Sequence, residues 1–439
     1  MLRKFLSRES VRNFIALFST DVLVRGGNFL LIPVFLLLMT KQEFGIYGYL
    51  YTFALSMSLV LNLGYHAVIP KLYIDSKDDA EKRGTMLFTI TVFLLSFIAV
   101  VYVLVGVTGA DERFFSLVNR DEQASQLNYS LYRPYLGIAL LSMVLSNFMT
   151  YYFISAEKVR KIQTFNITRF ILVNALVLLV LVLSRDTDAA LLRLSLTYVT
   201  ELALCVLFSF GLVRQFRYSF DRKYIIKVAK IGMPLACTAL INVVVNFGDK
   251  HFVMIYCGAE VLGVYTLAST IAVIPLIVYQ SFNFIWIPKL LKQTDLERIR
   301  TMAKKHALLI FGLLTLVSLL VIVLSLFLFK AGLFPESYFD MIHILPMLLL
   351  SQVFSALILY YFNFLTYFER NYMVIIISSI TSLVAYCLFG LVAPRYGATG
   401  IAFASMTANI AGFVLYYLCS MYYIGKNMRL HRDKTRVGL

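Results

Sequence analysis

The sequence predicts an all-α integral membrane protein: twelve transmembrane helices, arranged as two parallel six-helix repeats around a central cleft. Three observations lead there. Hydrophobic residues make up 60% of the 439-residue chain and charged residues only 15%, with a mean hydropathy of +0.79. A soluble domain of this length needs a polar coat, which this composition lacks. Runs of ~20 mostly apolar residues, the length that spans a bilayer, recur from one end of the chain to the other. Finally, a short string closing the second run returns at the close of the eighth.

Taken in order, the apolar runs lie at approximately 12–38, 44–67, 85–107, 131–155, 164–183, 190–213, 231–256, 262–286, 304–329, 341–368, 372–393 and 398–424. The first is too long, and too poor in small residues at its end, for a cleaved signal peptide. The connections alternate in charge. With the amino terminus inside, the inner segments hold 29 Lys and Arg, against 8 on the outer side including bases just within span ends. Three more are buried in spans. Positive charge concentrates on the cytoplasmic side, so both termini are expected there, and an even number of spans keeps the basic tail "KNMRLHRDKTR" inside. The outer loops, at about 108–130 and 330–340, are too short for a folded extracellular domain.

"AVIPKLY" at 67–73 returns as "IWIPKLL" at 285–291, a spacing of 218 residues. At that spacing, without gaps, residues 28–72 show eleven identities in 45 positions. The repeat divides the chain into six-helix bundles at 1–217 and 218–439. Six is even, so both halves enter the membrane from the same side and are related by an axis along its normal. Two such bundles define a cleft that rocking opens to either side. The "IPKL" strings themselves are expected to end the second and eighth spans at the cytoplasmic face, proline stopping the helix and lysine reaching the headgroups.

The net charge of +16 marks cytoplasmic loops rather than a nucleic-acid surface. The five cysteines stand singly in apolar segments, without metal spacing. No nucleophile, metal or phosphate-loop motif appears, and no cofactor is expected.

Several ionisable residues fall inside the runs: Asp21 and Arg25 in the first, Arg169 in the fifth, Glu201 in the sixth, and Asp249, Lys250 and His251 in the seventh. A charge at mid-membrane costs ~2.5–3.5 kcal/mol, so such residues face a wet cavity or a partner. Simpler roles stand beside a functional one. Asp21 and Arg25, one turn apart, neutralise each other; Arg169 and Lys250 snorkel toward the headgroups; Glu201 partners a base. Their depths favour function. Arg169 falls in the inner third, Arg25 near the middle and Lys250 in the outer third, a cationic ladder suited to a phosphate or diphosphate that arginine grips in a fork. Asp21, Glu201 and Asp249 are then charge partners or sites for a coupling proton or sodium ion. Gly26, Gly27 and Pro33 in the first span, with Gly232 and Pro234 in the seventh, either let those helices bend or let them pack closely. Tyrosines at span ends read as an interfacial belt; those in "YYFISAEK" and "LILYYFNFLTYFER" also suit stacking on sugar rings.

The string "TKQEFGIYGYLYTFALS" after the first span, and "NFGDKHFVMIYCGAEVLGVYTLAS" closing the seventh, resemble the polysaccharide-transporter (Wzx-type O-antigen) flippases. That family shares a superfamily with the MATE multidrug exporters and the lipid II flippases. Phe44, Gly45 and Tyr47 match the family's first string, and Asp249, Lys250, Gly263 and Tyr265 its second. Twelve spans fit the Wzx-type group, whereas lipid II flippases typically carry fourteen. The resemblance implies a flippase that moves an undecaprenyl-diphosphate-linked oligosaccharide to the outer leaflet of a bacterial inner membrane, with the lipid-linked oligosaccharide and membrane lipids as partners. It places Arg25 near the diphosphate. A MATE-type drug or cation antiporter is the nearest rival, but it favours an acidic cleft. A glycan polymerase or ligase would need a large outer loop and no six-plus-six repeat.

Overall fold

The computed structural model describes residues 8–76, 78–119, 127–184 and 187–436, all of whose long elements are helices. In chain order these are α1 (Arg8–Leu38), α2 (Lys41–Leu61), α3 (Tyr65–Asp75), α4 (Ala80–Thr108), α5 (Ala110–Ser116), α6 (Tyr129–Ser155), α7 (Val159–Leu183), α8 (Ala189–Val213), α9 (Arg222–Ala272), α10 (Ile274–Leu291), α11 (Leu296–Lys330), α12 (Met341–Tyr367) and α13 (Asn371–Arg436). Single 3₁₀ turns occur at Leu117–Asn119 and Glu336–Tyr338. No strand occurs among the described residues.

Among the described residues ten helical segments are long and apolar enough to cross a membrane, and the chain is a multi-pass membrane protein. Two of the ten are of double length, at 62 and 58 residues. A straight helix of the 51 residues of α9 would extend ~75 Å, against a hydrocarbon core of ~30 Å. Both long helices contain one glycine off the helical path: Gly258 (φ 81°, ψ 175°) in α9 and Gly397 (φ 54°, ψ −142°) in α13. A positive φ at these ψ values is open to glycine and closed to side chains with a Cβ, so the break is written into residue type. Both breaks fall where the apolar runs leave a gap, at 257–261 and 394–397. The ten segments stand against the twelve expected spans; the difference of two lies in these broken helices, each of which covers two of the expected runs.

Some boundaries differ from expectation. The second span breaks early, at Leu63 (φ 44°) and Gly64 (φ 64°), and α3 then runs through Pro70 to Asp75. Its proline sits inside the helix, not at its end. The chain passes through "IPKL" at 287–290 in the same way, within α10. The basic tail is helical as far as Arg436. Of the loop expected at 108–130, residues 120–126 lie outside the described residues.

The chain forms two compact units, Met1–Leu240 and Ile241–Leu439. The repeat puts a division near 217; the first turns of α9 lie with the first unit because they pack on the α2–α3 break. There a Cβ on Gly232 would come within 2.0 Å of the Leu63 carbonyl oxygen, so close approach explains that glycine without invoking a bend. Each unit has its own core. In the first, Tyr65, Ile69, Leu72, Ile90, Phe148, Tyr152 and Leu212 are buried together, and the Tyr65 hydroxyl donates to the Ile90 carbonyl at 3.0 Å. In the second, Trp286, Tyr360, Tyr361 and Phe364 pack on Ile299, Ile310 and Tyr416. Tyr360 and Tyr361 donate to the carbonyls of Met302 and Ala303, both at 2.8 Å. Tyr152, Tyr360 and Tyr361 are therefore core residues with satisfied hydroxyls, not sugar platforms.

Candidate functional site

Every expected site residue lies on a long apolar helix. α1 packs along α7 through a seam of small and polar groups. Gln163 Nε2 donates to buried Thr20 Oγ1 at 3.1 Å, and Asn174 Nδ2 to Asn28 Oδ1 at 3.2 Å. Between them a Cβ on Gly27 would meet Phe170 Cζ at 2.3 Å, whereas one on Gly26 would meet nothing within 4 Å. Gly27 thus serves close packing. With this seam fixed, the next face of α1 carries Asp21 and Arg25. Arg25 Nε sits 2.9 Å from Asp21 Oδ2 and 3.0 Å from Oδ1, with both side chains about half exposed. The pair neutralises across one turn, yet an apolar helix displays it on its surface.

Arg169 on α7 turns toward Glu201 on α8, Nη1 to Oε1 at 2.9 Å, and the same Nη1 donates to Ser146 Oγ on α6 at 2.8 Å. Its guanidinium also lies 5.7 Å from the Phe165 ring centroid. Glu201 is 7% exposed. Burying that carboxylate is tolerable only because a base and its hydrogen bond accompany it. Three helices of the first unit are cross-linked by this cluster.

In the second unit, Asp249 Oδ2 accepts from the Tyr265 hydroxyl at 3.0 Å, and its Oδ1 accepts from the Lys250 amide at 2.7 Å. Lys250 Nζ lies 3.9 Å from Asp249 Oδ1, and its side chain is 12% exposed, so it does not extend outward. Arg25 and Arg169 belong to the first unit and Lys250 to the second. The ladder draws on both and stands as a proposal.

One base was not singled out by sequence. Arg193, one turn into α8, falls with the outer flank when bases are sorted by span ends. Thr40 and Glu43 form a capping box that opens α2, the Glu43 carboxylate accepting from Thr40 N at 2.8 Å. Glu43 Oε1 also accepts from Ala189 N at 2.9 Å, which ties the start of α2 to the start of α8. This holds Phe44 and Tyr47, the residues of the first matched string, against Arg193. The Arg193 guanidinium carbon lies 3.6 Å from the Phe35 ring centroid, 4.0 Å from that of Tyr47 and 5.9 Å from that of Phe44. The available signal was negative: positions three and four away, Ala189, Ala190, Leu196 and Thr197, offer no acid.

Long apolar helices that carry ion pairs along their length define a multi-pass membrane protein, and the fold agrees. The chain is similar over 93% of its length to an inward-facing multidrug resistance MATE family transporter of the MOP superfamily, with 13% identity, TM-score 0.69 and 99% of that chain covered. It is similar over 94% to the lipid II flippase MurJ in an inward closed conformation, with 17% identity, TM-score 0.67 and 87% of that chain covered. A Vibrio cholerae MATE transporter, VcmN, follows at 15% identity and TM-score 0.59, with 95% of each chain covered. At such identities these likenesses establish a MATE/MurJ-like fold. No curated protein matches the chain in sequence. The model of the polysaccharide biosynthesis protein family matches residues 10–294, and the chain belongs to that family.

Proposed function

We propose that the protein is a flippase that carries an undecaprenyl-diphosphate-linked oligosaccharide from the cytoplasmic to the outer leaflet of the bacterial inner membrane by alternating access, with both termini cytoplasmic. Membership of the polysaccharide biosynthesis family carries this reading. The solved lipid II flippase, which shares the fold, bears a name that describes a cargo of related chemistry. Arg25, half exposed on an apolar helix, takes the diphosphate, and Asp21 holds its Nε side in place. Arg169 and Lys250 extend the cationic path. Asp21, Glu201 and Asp249 are the available acceptors for a coupling proton or sodium ion. No bond is made or broken in this cycle, so the protein is not an enzyme.

The test uses proteoliposomes that carry a polyprenyl-diphosphate oligosaccharide in one leaflet and a lectin applied to the other. Protein-dependent appearance of lectin-accessible sugar is expected. Absence of that movement, together with gradient-driven transport of ethidium, would replace the flippase by a MATE-type antiporter.

A further inference from the structure

Three of the four bases considered above have acid partners: Arg25 with Asp21, Arg169 with Glu201, and Lys250 with Asp249. In each such pair an incoming anion shares the base with a carboxylate already in place. Arg193 differs. Among the described residues no carboxylate pairs with it, and the acids Glu43 and Asp188 at the starts of α2 and α8 are engaged elsewhere. Glu43 is held by Thr40 and the Ala189 amide, and Asp188 by the Leu191 amide at 3.0 Å and the Tyr132 hydroxyl.

The surroundings of Arg193 fix its orientation. Phe35 of α1 and Tyr47 of α2 lie against the guanidinium at 3.6 and 4.0 Å, close enough for the cation to rest on their ring quadrupoles. A guanidinium donates its five N–H groups in its own plane, so ring contacts leave that edge to be filled. The Tyr47 side chain hydrogen-bonds the guanidinium, and the Met39 thioether, 3.5 Å from Nη1, is a weak second acceptor. A second donor is stranded nearby. The Tyr198 hydroxyl, within electrostatic reach of Arg193 and Tyr47, is buried with no hydrogen-bond partner among the described residues. A half-buried, aromatic-braced guanidinium whose five donors outnumber these two neutral acceptors, with no carboxylate beside it among the described residues, is a charge that the fold stabilises without neutralising.

We infer that Arg193 is a phosphate-binding residue, the contact that takes the diphosphate of the lipid-linked cargo at the end of the first unit where α8 begins. The inference rests on the flippase reading, and in the proposed orientation that end is the outer one. Arg193 would then act after Arg25 and Arg169, on the release side. The planar fork and the ring contacts together make arginine the required residue, since lysine offers a point charge without the paired donors.

Purified protein in neutral phosphatidylcholine nanodiscs, titrated with farnesyl diphosphate, tests this. Wild type is expected to bind saturably, Arg193→Met about tenfold or more weakly, and Arg193→Lys in between. Equal affinity of Arg193→Met and wild type overturns the assignment while leaving the flippase reading in place. No saturable binding by wild type overturns both. Unchanged farnesyl diphosphate affinity in Arg193→Met, with lost retention of phosphatidylglycerol in mixed nanodiscs, makes Arg193 a contact for ordinary membrane lipid and also overturns the proposal. Should Arg193→Met fail to fold, Arg193→Lys decides, because it keeps the cation on the rings; wild-type affinity in that variant sinks the inference.

Discussion

Arg169 and Glu201 meet at 2.9 Å from neighbouring helices, and the same guanidinium nitrogen reaches Ser146 on a third. A pair this buried is costly to break from one side. Glu201→Leu is expected to destabilise the detergent-solubilised protein by roughly 2–4 kcal/mol, because Arg169 keeps its charge without its partner. The double change Arg169→Met with Glu201→Leu should recover much of that loss. Thermal unfolding followed by tryptophan fluorescence of Trp286 or by differential scanning fluorimetry decides it; a harmless single change would mean the pair is water-screened.

Arg25 separates charge balance from cargo binding. Arg25→Ala should abolish oligosaccharide movement in proteoliposomes at normal membrane insertion, and Arg25→Lys should retain part of it, since a fork is replaced by a point charge. Asp21→Asn combined with Arg25→Gln removes the helix charges together. Full activity in that double variant would assign Arg25 to neutralising Asp21 and nothing more.

Gly27 is predicted to tolerate nothing bulky. A Cβ there falls 2.3 Å from the tip of Phe170, so Gly27→Val forces α1 off α7 or Phe170 out of its rotamer, at about 1–3 kcal/mol. Phe170→Leu should rescue it, as measured by melting temperature. Gly26→Ala, with open space around its added methyl, should be neutral or stabilising.

Topology is open to cysteine labelling in a background lacking the five native cysteines. A membrane-impermeant maleimide added to intact cells is expected to modify a cysteine at exposed Leu333, on the loop after α11, and to leave one at Arg222, at the start of α9, untouched. The reverse pattern would invert the proposed orientation.

Much of the fold was legible in the sequence because long apolar runs have few alternatives in a membrane. The helix breaks at Gly258 and Gly397 fell inside the gaps between runs, although neither gap resembled a loop of its own. The Asp21–Arg25 pair was equally legible, since both residues share one helix and one turn. Other contacts were not. Arg169 and Glu201 are 32 residues apart, and helical periodicity does not say which neighbouring helix a side chain faces. The aromatic bed of Arg193 is assembled from α1 and α2, so a rule that sorts bases by distance from a span end sees only a flanking residue. The "IPKL" prolines misled for a physical reason: α3 begins after Gly64, and Pro70 lies in a short helix beyond the real break.

Gly258 and Gly397 also limit how the second unit can deform. Each joins two helical stretches through a corner of a single residue, with no intervening coil to act as slack. Displacement of one stretch at its end is passed directly to the next through the shared corner. The stretches on either side of each glycine are therefore linked end to end through one residue. In any rearrangement of unit two, the ends that meet at Gly258 and at Gly397 are bound to move together.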